Sequence, residues 1–289
     1  MTLIILAGLC VLAGIAIGFV YLDKYVRNVS PVSYRIGLLE LMGAPEWISD
    51  ELLEAIASAA GGKEFALDKG SAKLVAENLS RFEWLYDIKK VRTTEKTLRV
   101  EAQYRRPLAV VNFSRAESCY LAWPGIDDKM LDKGYKGAIV LSHVPVSKLP
   151  LVEITGFSGR SDHPAGSVWR DEDIVSAVEL LAAMARMDEF STPEAPLLYE
   201  IASIDVSNFG GGARPDEAHI VLYAKDKTPI YWGAAYGQSS RYLEAMEKEK
   251  VASLYTYYKE YGTVQGVSKG ISQYIDLRQP QRSFPRPVD

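Results

Sequence analysis

The chain holds three histidines, His143, His163 and His219, and these are where acid–base or metal chemistry would be sought first. None stands four residues from another, and no HExxH string places two imidazoles and a carboxylate on one helical face. A zinc site gathers about three ligands, which scattered single histidines do not supply. Asp162 precedes His163 as an acid–imidazole pair would, yet Ser161-Asp162-His163-Pro164 consists of turn formers and reads as a solvated loop. No GxSxG is present, so a nucleophile elbow is not expected. Gly210-Gly211-Gly212 lacks the Gly-Lys-Ser/Thr of a phosphate loop and precedes a strand pattern, which is the setting of a hairpin. Asp127-Asp128 reads as a turn and Asp171-Glu172-Asp173 as a helix start. No spacing makes a convergent catalytic set, so neither catalytic nor metal-binding residues are assigned and no cofactor is expected.

The elements around these residues begin with Thr2 to Leu22, a run without a charged side chain. As a helix it would span about 31 Å at about 1.5 Å per residue, the thickness of a hydrocarbon core of about 30 Å. A cleaved signal peptide has a basic start, a shorter apolar region and a small-x-small cleavage site. Here no Lys or Arg precedes the run, and Tyr21-Leu22-Asp23-Lys24 is a poor cleavage site, so a retained anchor is expected. Lys24 and Arg27 follow the helix, and by charge alone they place the following part inside. Gly14-x-x-x-Gly18 matches a helix-packing pattern, although Gly and Ala are frequent in any membrane helix.

Apolar residues make up 48% of the whole chain, enough for a packed core beyond the anchor. The net charge of −4, with no basic block, argues against nucleic acid as the main partner. Cys10 lies in the apolar run and Cys119 beyond it, so no disulfide framework is expected.

Residues 23–32 form a short polar link. Tyr34, Ile36 and Leu38 then alternate as in a half-buried strand. Ser49 caps a helix with Asp50 and Glu51 in its first turn; Leu52, Leu53, Ile56 and Ala60 form its stripe, and Gly61-Gly62 ends it. A second helix fits Lys69 to Leu79, with Leu74, Val75 and Leu79 inward. Trp84 to Arg92 and Thr97 to Tyr104 read as paired strands. Pro107 marks a boundary. Four short strands are expected at 108–113, 120–123, 138–141 and 151–154. Asp171 to Met187 reads as an amphipathic helix. Strands follow at Ile201 to Val206, Ala218 to Ala224 and Pro229 to Gly233. Ser239 to Tyr261 reads as one long helix with Leu243, Met246, Val251, Leu254 and Tyr258 inward and Glu247 spaced to pair with Lys250. Ile271, Ile275 and Leu277 alternate in a last strand.

One stretch carries a resemblance. Leu79 to Val111, LSRFEWLYDIKKVRTTEKTLRVEAQYRRPLAVV, resembles the end of the POTRA (polypeptide-transport-associated) domain of the bacterial cell-division family FtsQ/DivIB. Trp84, Val91, Arg92, Thr97, Leu98, Val100, Arg106, Pro107 and Ala109 occupy the places of its pattern, an aromatic before a strand and then "V.R..P.TL.V.V.ER.P.A". Glu95 stands where the family often has proline, and Arg105 where it often has Glu. Downstream, Leu149-Pro150 with Ile154 and Gly156, then Ile230-Tyr231-Trp232-Gly233, Lys250 to Leu254 and Ile275-Asp276-Leu277-Arg278 are similar to later family segments in order and spacing.

The resemblance implies an α+β fold. An N-terminal transmembrane helix (1–22) and linker (23–32) would lead to a POTRA-like β-α-α-β-β domain (33–107). A mixed α/β "β domain" with a curved sheet (108–284) and a tail (285–289) would follow. It implies a single-pass type II protein of the bacterial inner membrane, with its soluble part extracytoplasmic and at the division septum. It further implies a non-catalytic divisome scaffold that binds FtsB/FtsL-like proteins, with no nucleic acid and no small-molecule substrate. Trp84, Leu98, Arg106, Pro107, Trp232, Gly233, Asp276 and Arg278 would be structural motif residues. Gln279, Gln281, Arg282, Ser283 and Phe284 would offer a free strand edge to the partner. Pro280 removes one donor from that edge, so pairing there would be short or shifted. Two alternatives are a membrane-anchored envelope hydrolase or transferase with an unusual site, and a POTRA-bearing secretion component. The latter normally carries a barrel, whose alternating strands of about ten residues are not seen here.

Overall fold

The computed structural model describes residues 36–114, 117–124, 136–159, 163–212 and 214–279. The anchor expected at Thr2 to Leu22 lies outside them. No helix among the described residues is long and apolar enough to cross a membrane. The described chain is α+β, built from two sheets.

The first sheet comprises β1 (Ile36–Met42), β2 (Glu64–Ala66), β3 (Leu85–Thr93) and β4 (Thr97–Tyr104) in the order β2-β1-β4-β3. β1 runs parallel to β4, and the other pairs are antiparallel. Two helices, α1 (Asp50–Ala60) and α2 (Lys69–Leu79), share one core with its inner face. The Ser49 hydroxyl caps α1 by accepting from the Leu52 N–H at 3.1 Å, and Gly61 ends it at φ 112°, where a Cβ would be strained. Asp68 caps α2 through the Ser71 N–H at 2.7 Å. Two residues expected inward face out: Leu53 is 37% exposed and Leu74 56%. A helix stripe is narrow, and the adjacent Leu52 and Val75 take the buried places. β2 was not expected. Its three residues are too few for a period, and its pairing with β1 makes it a strand.

The second sheet has nine strands: β5 (Pro107–Asn112), β6 (Ser118–Ala122), β7 (Ala138–Ser142), β8 (Val152–Thr155), β9 (Val168–Trp169), β10 (Ile201–Asp205), β11 (Ile220–Ala224), β12 (Pro229–Gly233) and β13 (Ile275–Asp276). Their order is β13-β12-β11-β10-β8-β5-β6-β7-β9. Helices α3 (Glu172–Ser191) and α4 (Glu247–Tyr261) share its larger core. A short helix α5 (Gly266–Lys269) precedes β13. β6 and β7 are buried on both faces. Cys119, Leu121, Ala138 and Val140 point to the helix side, whereas Tyr120, Ala122, Ile139 and Leu141 join the core of the first sheet. That is why these strands read as unbroken apolar runs.

The long helix expected over Ser239 to Tyr261 is two pieces. A 3-10 turn, Ser239–Tyr242, ends at Leu243 with φ 55°, and α4 begins only at Glu247. Leu243 and Met246, expected inward, are 91% and 50% exposed. The break has a polar cause: Glu244 turns inward and accepts from the Ala234 N–H at 2.9 Å.

Candidate functional site

β13 closes one end of the nine-stranded sheet. It pairs in parallel with β12 alone, Ile275 beside Ile230 and Asp276 beside Tyr231, and the Leu277 N–H donates to the Tyr231 carbonyl at 3.0 Å. Its outer side meets no strand among the described residues. Arg278 folds back on Asp276. Its Nε and Nη2 donate to the two carboxylate oxygens at 3.0 and 2.8 Å, and these bonds raise the pKa of the guanidinium. The same guanidinium lies 5.7 Å from the Tyr231 ring centre, and Tyr274 packs on Tyr231 at 5.7 Å. This aromatic and charged rim ends at Gln279, which is exposed.

Behind the rim lies a buried ionic clamp. Lys250 is 0% exposed, and its ammonium donates to Glu244 at 2.5 Å and stands 5.0 Å from the centre of the Trp232 ring. Burial lowers the pKa of Lys250, an effect the Glu244 carboxylate offsets only in part. Gly233, at φ 93°, makes room for it, since a Cβ there would strike the Glu244 carboxylate. Glu247 does not pair with Lys250 as expected. It accepts from the N–H groups of Gly237 at 2.8 Å and Ser239 at 3.2 Å. Burial pushes the Glu247 carboxyl up, but those donors outweigh it and hold its pKa below the usual range. The loop so clamped reaches the rim, where the Ala245 N–H donates to the Arg278 carbonyl at 2.9 Å.

Beside the rim, a cavity of about 470 Å³ is lined by Asp205, Arg214, His219, Tyr223, Tyr231 and Arg278, among others. His219 is 5% exposed, sits edge-on to Tyr242 at 4.5 Å, and has its pKa lowered by burial. Gly211, at φ 72°, is required there, because a Cβ would come within 2.6 Å of the imidazole Nε2. Within the triplet it is Gly211 that packs against His219, whereas a Cβ at Gly210 or Gly212 would meet nothing.

The motif residues fall into two groups. Trp84 and Leu98 are buried in the first core, where the Trp84 indole N–H donates to the Ser142 hydroxyl at 3.0 Å. Arg106, which donates to Glu189 at 2.7 Å, and Pro107 carry the chain into β5. Trp232, Gly233, Asp276 and Arg278 gather at the rim and its clamp. Of the edge residues, Gln279 is described, whereas Gln281, Arg282, Ser283 and Phe284 lie outside the described residues. The three histidines sit in separate places: His143 on Tyr120 at 4.7 Å, His163 on Trp169 at 4.1 Å, and His219 as above. Asp127, Asp128 and Asp162 lie outside the described residues. Asp171 accepts from the Trp169 indole at 2.9 Å, and Asp173 accepts from the Ser158 N–H at 3.0 Å. No group of three or more His, Cys, Asp and Glu among the described residues could hold a metal ion. Sequence reasoning missed Glu244 and Ala245, since no periodicity marks a side chain that closes a loop. Comparison of the chain with protein-family models and with curated proteins gives no match.

Proposed function

We propose that this protein is a non-catalytic scaffold of the bacterial division machinery, similar in role to FtsQ/DivIB. It would be anchored in the inner membrane by Thr2 to Leu22, with its folded part extracytoplasmic. It would bind FtsB/FtsL-like single-span partners by strand addition. The observation that carries this reading is the position of β13: a two-residue strand at the end of a nine-stranded sheet, paired with a strand on one side only among the described residues, although the N–H and C=O of Arg278 just beyond it are already taken by Asp276 and the Ala245 N–H. An edge of this kind offers backbone N–H and C=O groups to an incoming strand. The tyrosines and Arg278 beside it are residue types enriched where binding energy concentrates. Support also comes from the order of elements, a helix-covered sheet followed by a second sheet whose last strand lies at its rim.

The test is a photocrosslinking scan in dividing cells. A photoreactive residue replaces Gln279, Gln281, Arg282, Ser283 or Phe284 in turn, with exposed Lys269 as the control position. The expected result is capture of an FtsB/FtsL-like partner from 279–284 and none from 269, together with mid-cell recruitment of a fluorescent fusion. Capture only from other surfaces, or uniform envelope fluorescence, refutes the reading.

A further inference from the structure

The open side of β13 is not bare. Main-chain groups of successive strand residues point to opposite sides, and the Leu277 N–H points to β12, where it donates to the Tyr231 carbonyl. The groups of Asp276 and Arg278 therefore face outward. Of these, the Arg278 carbonyl accepts from the Ala245 N–H at 2.9 Å, and the Arg278 N–H donates to the Asp276 carboxylate at 3.0 Å. The sequence then places Pro280, which has no N–H to give. A sheet edge covered by a loop in this way is closed to a further strand at that point.

Residues 239–246, between β12 and α4, form the strap that covers it. Two side chains tie the strap down. Tyr242 lies edge-on to His219 at 4.5 Å, and Glu244 accepts from the Ala234 N–H and the Lys250 ammonium. Leu243, between them, is 91% exposed, and its φ of 55° is a left-handed conformation that any side chain with a Cβ disfavours. Four non-glycine residues among the described ones have positive φ, and Leu243 is the one apolar side chain of the four, without the local hydrogen bonds that let short polar residues sit there. The strap is thus buried at its root. At its tip it is joined to Arg278 by one hydrogen bond, across a residue bent against its own preference.

We propose that this strap is a gate on the β13 edge: closed, it withholds the Arg278 carbonyl, and an incoming strand is admitted when the Ala245–Arg278 bond opens while the Glu244–Lys250 clamp stays shut. Local opening of this kind draws on the least stable contacts of a fold. A closed gate has a use of its own, because an uncovered edge invites pairing with the wrong chain. The incoming strand belongs to the partner proposed above, so its admission rests on that reading, whereas the opening of the strap stands without it.

The experiment uses the full chain. Hydrogen–deuterium exchange in detergent, read by mass spectrometry, compares a peptide covering 242–247 with one covering 251–258 of α4. The first should exchange about a hundredfold faster, through local opening. Leu243→Gly removes the left-handed cost, less what the freedom of glycine in the open strap takes back, and should slow that exchange about threefold. In dividing cells the photoreactive residue stands at the position between 279 and 284 that captures most. Capture of the partner should rise about threefold in Ala245→Pro, which lacks the closing N–H, and fall about threefold in Leu243→Gly. A variant that merely loosened the fold would lower capture in both, and thermal unfolding checks each; where Ala245→Pro unfolds the chain, Leu243→Gly decides alone. Exchange of 242–247 no faster than that of α4, or unchanged in Leu243→Gly, overturns the gate. So does equal capture in the parent and both variants, which leaves the partner reading standing. No capture from 279–284 in any of them refutes the partner reading instead, and exchange then decides the gate by itself.

Discussion

Replacing Lys250 by Met tests whether the clamp behind the rim holds the loop in place. Met keeps the volume of the stem, so little cavity forms. What is lost is the charge facing Glu244 at 2.5 Å and the contact with the Trp232 ring. Breaking one partner out of a buried pair costs about 3–5 kcal/mol, because the other charge stays behind. Glu244 keeps the Ala234 N–H at 2.9 Å, so its carboxylate is not left wholly without a partner and the lower end of that range applies. The expected loss at pH 7 is therefore about 3 kcal/mol, or about 6–12 °C in Tm. Urea unfolding in detergent, followed by tryptophan fluorescence, measures it. The double variant Lys250→Met/Glu244→Gln should regain most of the loss. A deficit below about 1 kcal/mol at pH 7, or no recovery in the double variant, would refute the assignment of the clamp.

Gly233→Ala should cost about 2–4 kcal/mol by thermal unfolding, since it adds a left-handed penalty to a collision with Glu244, and the cost should fall in a Lys250→Met/Glu244→Gln background. Glu247→Gln should alter the acid limb of the stability curve. The folded pKa of Glu247 lies below its ordinary value of 4.5, so its contribution is complete above that value and is lost as pH falls toward the folded one. The variant should be less stable than the parent at pH 7, and the gap should close as the pH falls below 4, read from urea midpoints.

Local chemistry made much of the fold readable. The helix Lys69–Leu79 and the strands Thr97–Tyr104 and Pro229–Gly233 fall where period, caps and prolines put them. Ser49 and Gly61 mark both ends of α1 through interactions within a few residues. What escaped depends on partners far along the chain. β2 exists because β1 lies beside it, and the break at Leu243 exists because Glu244 reaches Ala234 and Lys250. Leu243 and Met246 kept helical spacing, so period alone could not reveal that the backbone turns away there. At the rim, Asp276 and Arg278 stood out only through the resemblance. Their geometry, a fork-to-carboxylate contact over Tyr231, needs three dimensions.

The sharing of Tyr120, Ala122, Ile139 and Leu141 between the layers bears on how the molecule can be taken apart. A fragment severed near Pro107 would lose four apolar neighbours and the hydroxyl that receives the Trp84 indole. Its bared flank would invite aggregation, so the halves are better produced as one piece, and melting of either should drag the other along.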